Sequence, residues 1–195
     1  MYDLKSLKDI KQDILKNLHD DLRANSKNLV FGKGNEKADI LFIGEAPGAK
    51  EDEIGEPFVG AAGRELDKLL TSIDLSLSDA YITNILKYRP PNNRDPTKEE
   101  IKRHTPYLIK QILSIKPKVI CTLGNYATKF ILGEFKVANM KNIKGISTLH
   151  GKAHKIVLEN KELLVVPLYH PAAMLYNPPL RKTLEEDFKL IKKLI

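Results

Sequence analysis

A few residues in this sequence pair a reactive or recognising side chain with a setting that suits a ligand. Glu45 lies in Gly44-Glu45-Ala46-Pro47-Gly48, where a carboxylate sits among backbone that a ligand can approach closely, since glycine has no Cβ to hold it off. Asn84 is an amide inside the apolar run Ala80 to Lys87, and its acceptor and two donors match the edge of a nucleobase. His170, just before Pro171, is placed to donate to a developing oxyanion or to carry a proton. Phe58, between Pro57 and Gly60, is an aromatic face on which a base can stack. The loops Arg89-Pro90-Pro91-Asn92-Asn93-Arg94 and Asn177-Pro178-Pro179-Leu180-Arg181-Lys182 hold cations among prolines, which suits contacts to phosphate. Taken singly, each feature has a structural alternative. The glycines make a tight turn, Asn84 is a satisfied buried amide, Phe58 is core, His170 is a loop residue, and the cations are a solvated face. Together they describe a pocket for an extruded base with flanking positive charge.

These residues can meet only if the elements before them deliver them to one place. Ala38 to Gly44, Ala80 to Lys87, Lys118 to Gly124 and Leu163 to Leu168 are short apolar runs of strand length, and His154 to Leu158 is another around the polar turn Glu159-Asn160-Lys161. Leu4, Leu7, Ile10, Ile14, Leu18 and Leu22 recur at helical spacing and predict one opening helix. Further helices are expected at about 61–73, 125–132 and 183–195. Thr97 with Glu100 forms a capping box for a helix running to about Ile115, with Pro106 a potential kink. Strands alternating with helices predict an α/β fold, a three-layer α/β/α sandwich with a central, largely parallel four-stranded sheet, with residues 1–195 forming a single domain. Ligands of such sheets sit at the C-terminal strand ends. Glu45, Asn84 and His170 all fall there.

The chain of 195 residues carries 32 Lys and Arg against 25 Asp and Glu, a net +7 that suits a polyanionic partner. Its single cysteine, Cys121, can form neither an internal disulfide nor a thiolate cluster. No apolar run approaches the roughly 20 residues of a membrane span, and the charged N-terminus is unlike a signal peptide. A soluble, cytoplasmic, monomeric protein with no membrane partner is expected.

Residues 44–70 (GEAPGAKEDEIGEPFVGAAGRELDKLL), then YITNILKYRPPNNRDPTKEE, PKVICTLGNYATKFILG and HPAAMLYNP, resemble the family 4 uracil-DNA glycosylases in order and spacing over about residues 17 to 190. The resemblance implies an enzyme whose partner is uracil-containing DNA, from which it flips deoxyuridine and hydrolyses the N-glycosidic bond. It implies a uracil pocket of Ala46, Gly48, Phe58, Asn84 and His170. Phe58 would stack on the base, Asn84 would read its O4 and N3 edge, and His170 would donate to O2. Glu45 would orient water or offset positive charge on the sugar. Ala46 stands where family 1 has an aspartate serving the water, so a dissociative reaction is expected. Leu175 and Tyr176 would wedge the duplex, and Asn93, Arg94, Arg181 and Lys182 would contact the DNA.

The family usually holds a four-iron–four-sulfur cluster through four cysteines. The matching positions here are Asn17, Asp20, Tyr88 and His104, and Cys121 matches none of them. Thiolates hold such clusters, so no cofactor and no metal are expected. Asp20 and His104 should instead approach each other, with Tyr88 filling the space. His150 replaces the arginine usual before Gly151, which puts one phosphate contact in doubt. The short LHGKAHKIV segment lacks the basic insertion of a related subgroup that traps uracil covalently, although it retains His154. Two competing readings are a non-catalytic module that binds uracil or abasic DNA, and a glycosylase for another deaminated base.

Overall fold

The computed structural model describes residues 6–195. Its strands are β1 (Lys33–Gly34), β2 (Ile40–Gly44), β3 (Ala80–Asn84), β4 (Val119–Leu123), β5 (His154–Leu158) and β6 (Lys161–Leu168). Its α-helices are α1 (Leu7–Asn17), α2 (Asp21–Asn25), α3 (Ala49–Ile54), α4 (Ala61–Thr71), α5 (Lys98–Ile115), α6 (Asn125–Leu132), α7 (Ile146–Leu149), α8 (Ala173–Tyr176) and α9 (Leu180–Leu194). They form one sheet in the order β1-β3-β2-β4-β6-β5. The central β3, β2, β4 and β6 run parallel. These are the four strands expected, and an antiparallel strand is added at each edge, making six. Strand β1 is too short to show a period. Strand β5 joins through a hairpin whose two-residue turn, Glu159-Asn160, has φ of 47° and 62°, the positive values that match the twist of paired strands.

Alternation along the strands builds two cores on one sheet. Leu41, Ile43, Tyr81 and Ile120 pack with α1, α5 and α6. Ile40, Phe42, Ile82 and Cys121 point the other way, against α4 and α9. Both faces are therefore covered, and β2, β3 and β4 are buried along their whole length, as a parallel sheet requires. No helix among the described residues is long and apolar enough to cross a membrane.

The single opening helix is corrected to two. Leu18 is extended, and Asp20 caps a new helix by accepting from the Arg23 N–H at 2.9 Å. Leu18 and Leu22 stay buried across the break, so the apolar spacing conceals it. Leu4 lies outside the described residues. Strand β3 ends at Asn84 rather than Lys87, because the chain then turns, with the Ile85 and Leu86 N–H groups donating to the carbonyls of Gly44 and Glu45. The closing helix begins at Leu180, one turn earlier than expected. Pro106 sits within a continuous α5.

Candidate active site

Strands β2, β3, β4 and β6 end side by side, and their next residues stand where the ligand cleft of a parallel sheet lies. Gly44 pairs with Asn84 across β2 and β3. A Cβ at Gly44 would collide with Asn84 Oδ1 and come within 2.9 Å of the Phe58 ring. Glycine is needed there because two side chains occupy its Cβ position. Asn84 Oδ1 is buried and has no hydrogen-bond partner. A buried amide oxygen left unpaired costs about 1–3 kcal/mol, so it marks a place where a donor is missing.

Phe58 carries φ 52°, uncommon for an aromatic residue. Its loop is braced from two sides. The Glu51 carboxylate accepts from the Val59 and Gly60 N–H groups at 2.9 and 2.8 Å. A Cβ at Gly63 would collide with the Phe58 carbonyl, so that helix can approach only as glycine. The ring stacks near His170, centroids 5.7 Å apart and planes 27° from parallel.

His170 accepts the Ala172 N–H on Nδ1 at 3.2 Å. A neutral imidazole so engaged carries its proton on Nε2. Burial holds its pKa down to about 4, against a weaker upward pull from Glu51. Gly124, at φ 90° after β4, lies against the His170 Cβ and lets the β6 exit pass close by. Burial pushes Glu45 up to about 7, with Asp95 adding to the shift. Burial, with Asp95 adding to it, also pushes the Tyr126 hydroxyl up. Ala46 and Gly48 continue the turn after Glu45, with Gly48 opening α3. The cleft thus brings together Glu45, Ala46, Phe58, Asn84 and His170.

The residues expected on DNA lie outside the cleft. Leu175 and Tyr176 project from α8, and Tyr176 is 88 % exposed. Lys182 is exposed on α9. The two arginines have partners within the protein. Arg94 forms a fork with Glu100, at 2.6 and 2.9 Å, and Arg181 binds Glu65. Asn93 Oδ1 accepts from Arg89 Nε at 2.8 Å. His150 turns inward, with Nδ1 2.9 Å from Asp187 and its ring against Tyr169.

At the positions matched to cluster cysteines, His104 Nε2 lies 2.7 Å from Asp20 Oδ2, and His104 Nδ1 accepts the Lys87 N–H at 2.9 Å. Tyr88 is buried with its ring edge-on to His104. Asn17 binds Asp13 instead. This donor set does not fit an iron–sulfur cluster. It has no thiolate, and its imidazole uses both nitrogens on the protein. Cys121 is buried in the α4/α9 core. No group of three or more metal-ligating side chains forms among the described residues.

A scan against family models matches residues 31–194 to the description "Uracil DNA glycosylase superfamily". The chain belongs to the uracil DNA glycosylase superfamily. It is 48% identical over 191 residues to a type-4 uracil-DNA glycosylase of Archaeoglobus fulgidus, covering 98% of this chain and 94% of that one. It is 52% identical over 168 residues to the type-4 enzyme of Saccharolobus solfataricus, covering 86% and 76%. Against that of Thermotoga maritima it is 40% identical over 178 residues, covering 89% and 86%.

Sequence reasoning missed three features of this superfamily member. Asp95, in the loop before α5, and Tyr126, on α6, come close to Glu45 from far away in sequence. Lys87 is fully buried beneath Asn84. A groove of about 730 Å³ lined by Lys98, Lys102, Lys129 and Lys141, with Tyr126 and no carboxylate in its wall, opens beside the cleft. Its lysines come from α5, α6 and the 3-10 turn Val137–Asn142, so no local run announces it. The only available signal for Lys87 was a lysine three residues beyond Asn84 in an apolar run.

Proposed function

We propose that this chain is a monofunctional uracil-DNA glycosylase that extrudes deoxyuridine from DNA and hydrolyses its N-glycosidic bond, releasing uracil and leaving an abasic site. The observation that carries the reading is the buried, unpartnered Asn84 Oδ1 beside Phe58 and His170. Uracil supplies the missing donor through N3–H, and the Asn84 amide N–H meets O4. Phe58 offers its face to the ring. Cytosine reverses both partners on that edge and leaves them unsatisfied.

The C1′–N1 bond breaks with its electron pair moving onto uracil, where charge grows at O2. His170 meets that charge as a neutral Nε2–H donor, a role its depressed pKa and its bond from Ala172 both favour. One such donor is worth about 3–4 kcal/mol in comparable oxyanion sites. Ionised Glu45 faces the positive charge left on the sugar and takes the proton of the water that adds to C1′. With Ala46 too short to serve that water, leaving-group stabilisation supplies most of the rate. Leu175 and Tyr176, exposed on α8, hold the extruded state. Asn93 and Lys182 and the lysine groove meet phosphates, and Arg94 and Arg181 do so only by sharing with Glu100 and Glu65.

We read the chain as working without an iron–sulfur cluster, since Asn17, Asp20, Tyr88 and His104 offer it no thiolate. Purified protein should contain no stoichiometric iron and show no visible absorption band; either finding sinks this reading. The activity is tested by incubating the protein with a uracil-containing oligonucleotide and cleaving abasic sites with alkali. Strand scission is expected, reduced about 100-fold or more in His170→Ala. Bound but uncut uracil DNA would instead favour a binding module.

A further inference from the structure

Lys87 has no exposed surface, and its Nζ touches no carboxylate. It donates to Thr83 Oγ1 at 2.9 Å, the Asn84 carbonyl at 2.6 Å and Gln111 Oε1 at 2.6 Å. Burial pushes the Lys87 pKa well below the usual lysine value, while three acceptors match the three N–H bonds of the protonated form. Two of them are fixed in turn by the Phe31 carbonyl, which accepts from Thr83 Oγ1 at 2.8 Å and Gln111 Nε2 at 3.0 Å. The Lys87 main-chain N–H is held separately by His104. The residue is therefore clamped at both ends.

A buried cation without a counter-ion is costly, and an apolar side chain of similar volume often serves stability as well or better. Stability therefore does not account for a lysine here. What the lysine alone supplies is a bond to the carbonyl of Asn84, the last residue of β3. The Asn84 side chain has no bond on Oδ1 to aim it. Its direction follows from its backbone and from packing against Gly44, whose other near neighbour is the Phe58 ring. We propose that Lys87 is a positioning residue for base recognition: its amino group, held by Thr83 and Gln111, fixes the peptide plane of Asn84 and so aims the amide that reads uracil. A recognising group must be held within about 0.5 Å and 10–20° of its working geometry. This inference rests on the proposed uracil reading of Asn84.

The test uses Lys87→Met, which keeps the length and removes the donors, together with Thr83→Val and Thr83→Ser. Inhibition by free uracil, the steady-state kcat and KM of uracil release, and binding of uracil-free DNA are measured for each. Lys87→Met should weaken inhibition by free uracil about 10-fold and lower kcat with little change in KM, while affinity for uracil-free DNA stays at the wild-type value. An inhibition constant does not depend on the folded fraction, so a merely structural role would leave it unmoved. Thr83→Val is nearly isosteric and loses one acceptor of Nζ. It should show the same effect in smaller degree, and Thr83→Ser should restore it. Wild-type uracil inhibition in a folded Lys87→Met overturns the inference. If Lys87→Met does not fold, unchanged inhibition in Thr83→Val overturns it as well. A wild-type protein that releases no uracil refutes the function reading instead, so the two failures are distinguishable.

Discussion

Replacing Asn84 by aspartate changes one NH₂ to oxygen and nothing in size, so its effect can be worked from the hydrogen-bond pattern. In the wild type, Asn84 Oδ1 is buried and unpartnered. Cytosine would set its N3 lone pair against that oxygen and its N4–H against the amide N–H. Two unsatisfied pairs at about 1–3 kcal/mol each predict a preference for uracil between about 30-fold and about 10⁴-fold from this residue alone. Aspartate removes the asymmetry in either protonation state. As an acid, it can place its proton on whichever oxygen faces an acceptor, N3 of cytosine or O4 of uracil. As an anion, it accepts one bond from either base and repels the other acceptor. Asn84→Asp should therefore bring uracil and cytosine to within about 10-fold of each other, mostly through slower uracil release. The assay is single-turnover cleavage of matched oligonucleotides carrying one uracil or one cytosine, followed by alkali. A folded Asn84→Asp protein that keeps the wild-type ratio would refute the assignment of Asn84 as the reader of the base.

Glu45, raised to about 7 by burial and by Asp95, is neutral below that pH and ionised above it. If the carboxylate is the working form, the single-turnover rate rises with pH up to about 7 and then levels; a flat wild-type profile from about pH 6 to about pH 8, or the same rise in Glu45→Gln, contradicts the role. His104→Ala strands the Lys87 N–H and Asp20 Oδ2, which it now satisfies at 2.9 and 2.7 Å. At about 2 kcal/mol each, and about 2–4 °C per kcal/mol for a chain of this size, Tm should fall by about 10 °C; a drop under about 2 °C by calorimetry means that the pair is not structural. Changing Lys98, Lys102, Lys129 and Lys141 together to alanine should flatten the slope of log affinity against log salt by about 3 for single-stranded DNA, and an unchanged slope removes the groove from the DNA surface.

The parts legible in sequence were those decided locally. Runs such as Ile40–Gly44 and Val119–Leu123 are mostly apolar because both faces of the sheet are covered, and the chemistry follows such a run at once, as in Glu45 after Gly44. The break between α1 and α2 was hidden because Leu18 and Leu22 keep one apolar face on either side of it. Only Asp20, an N-cap type, reported the new start. Lys87 was harder still. A lysine at the end of a strand reads as a surface residue, and what keeps it inside is Gln111, 24 positions away on α5. The groove lysines likewise come from three elements that only the fold assembles.

The two titratable groups of the cleft shift in opposite directions for one reason. Burial disfavours charge, so it lowers His170 to about 4 and raises Glu45 to about 7. At neutral pH the imidazole is uncharged and the carboxyl is poised between its forms. A positively charged imidazole would bind a resting carbonyl strongly as well as the departing anion, and equal binding of both does not accelerate bond breaking. A neutral donor with Nδ1 already occupied gains most when charge appears on uracil. Positive charge on surfaces such as the lysine groove can hold phosphates without entering the base pocket. On this view, exchanging His170 for a permanently charged donor would tighten binding of free uracil while leaving the glycosidic bond slower to break. His170→Arg tests that split, and a variant with equal changes in binding and rate would count against it.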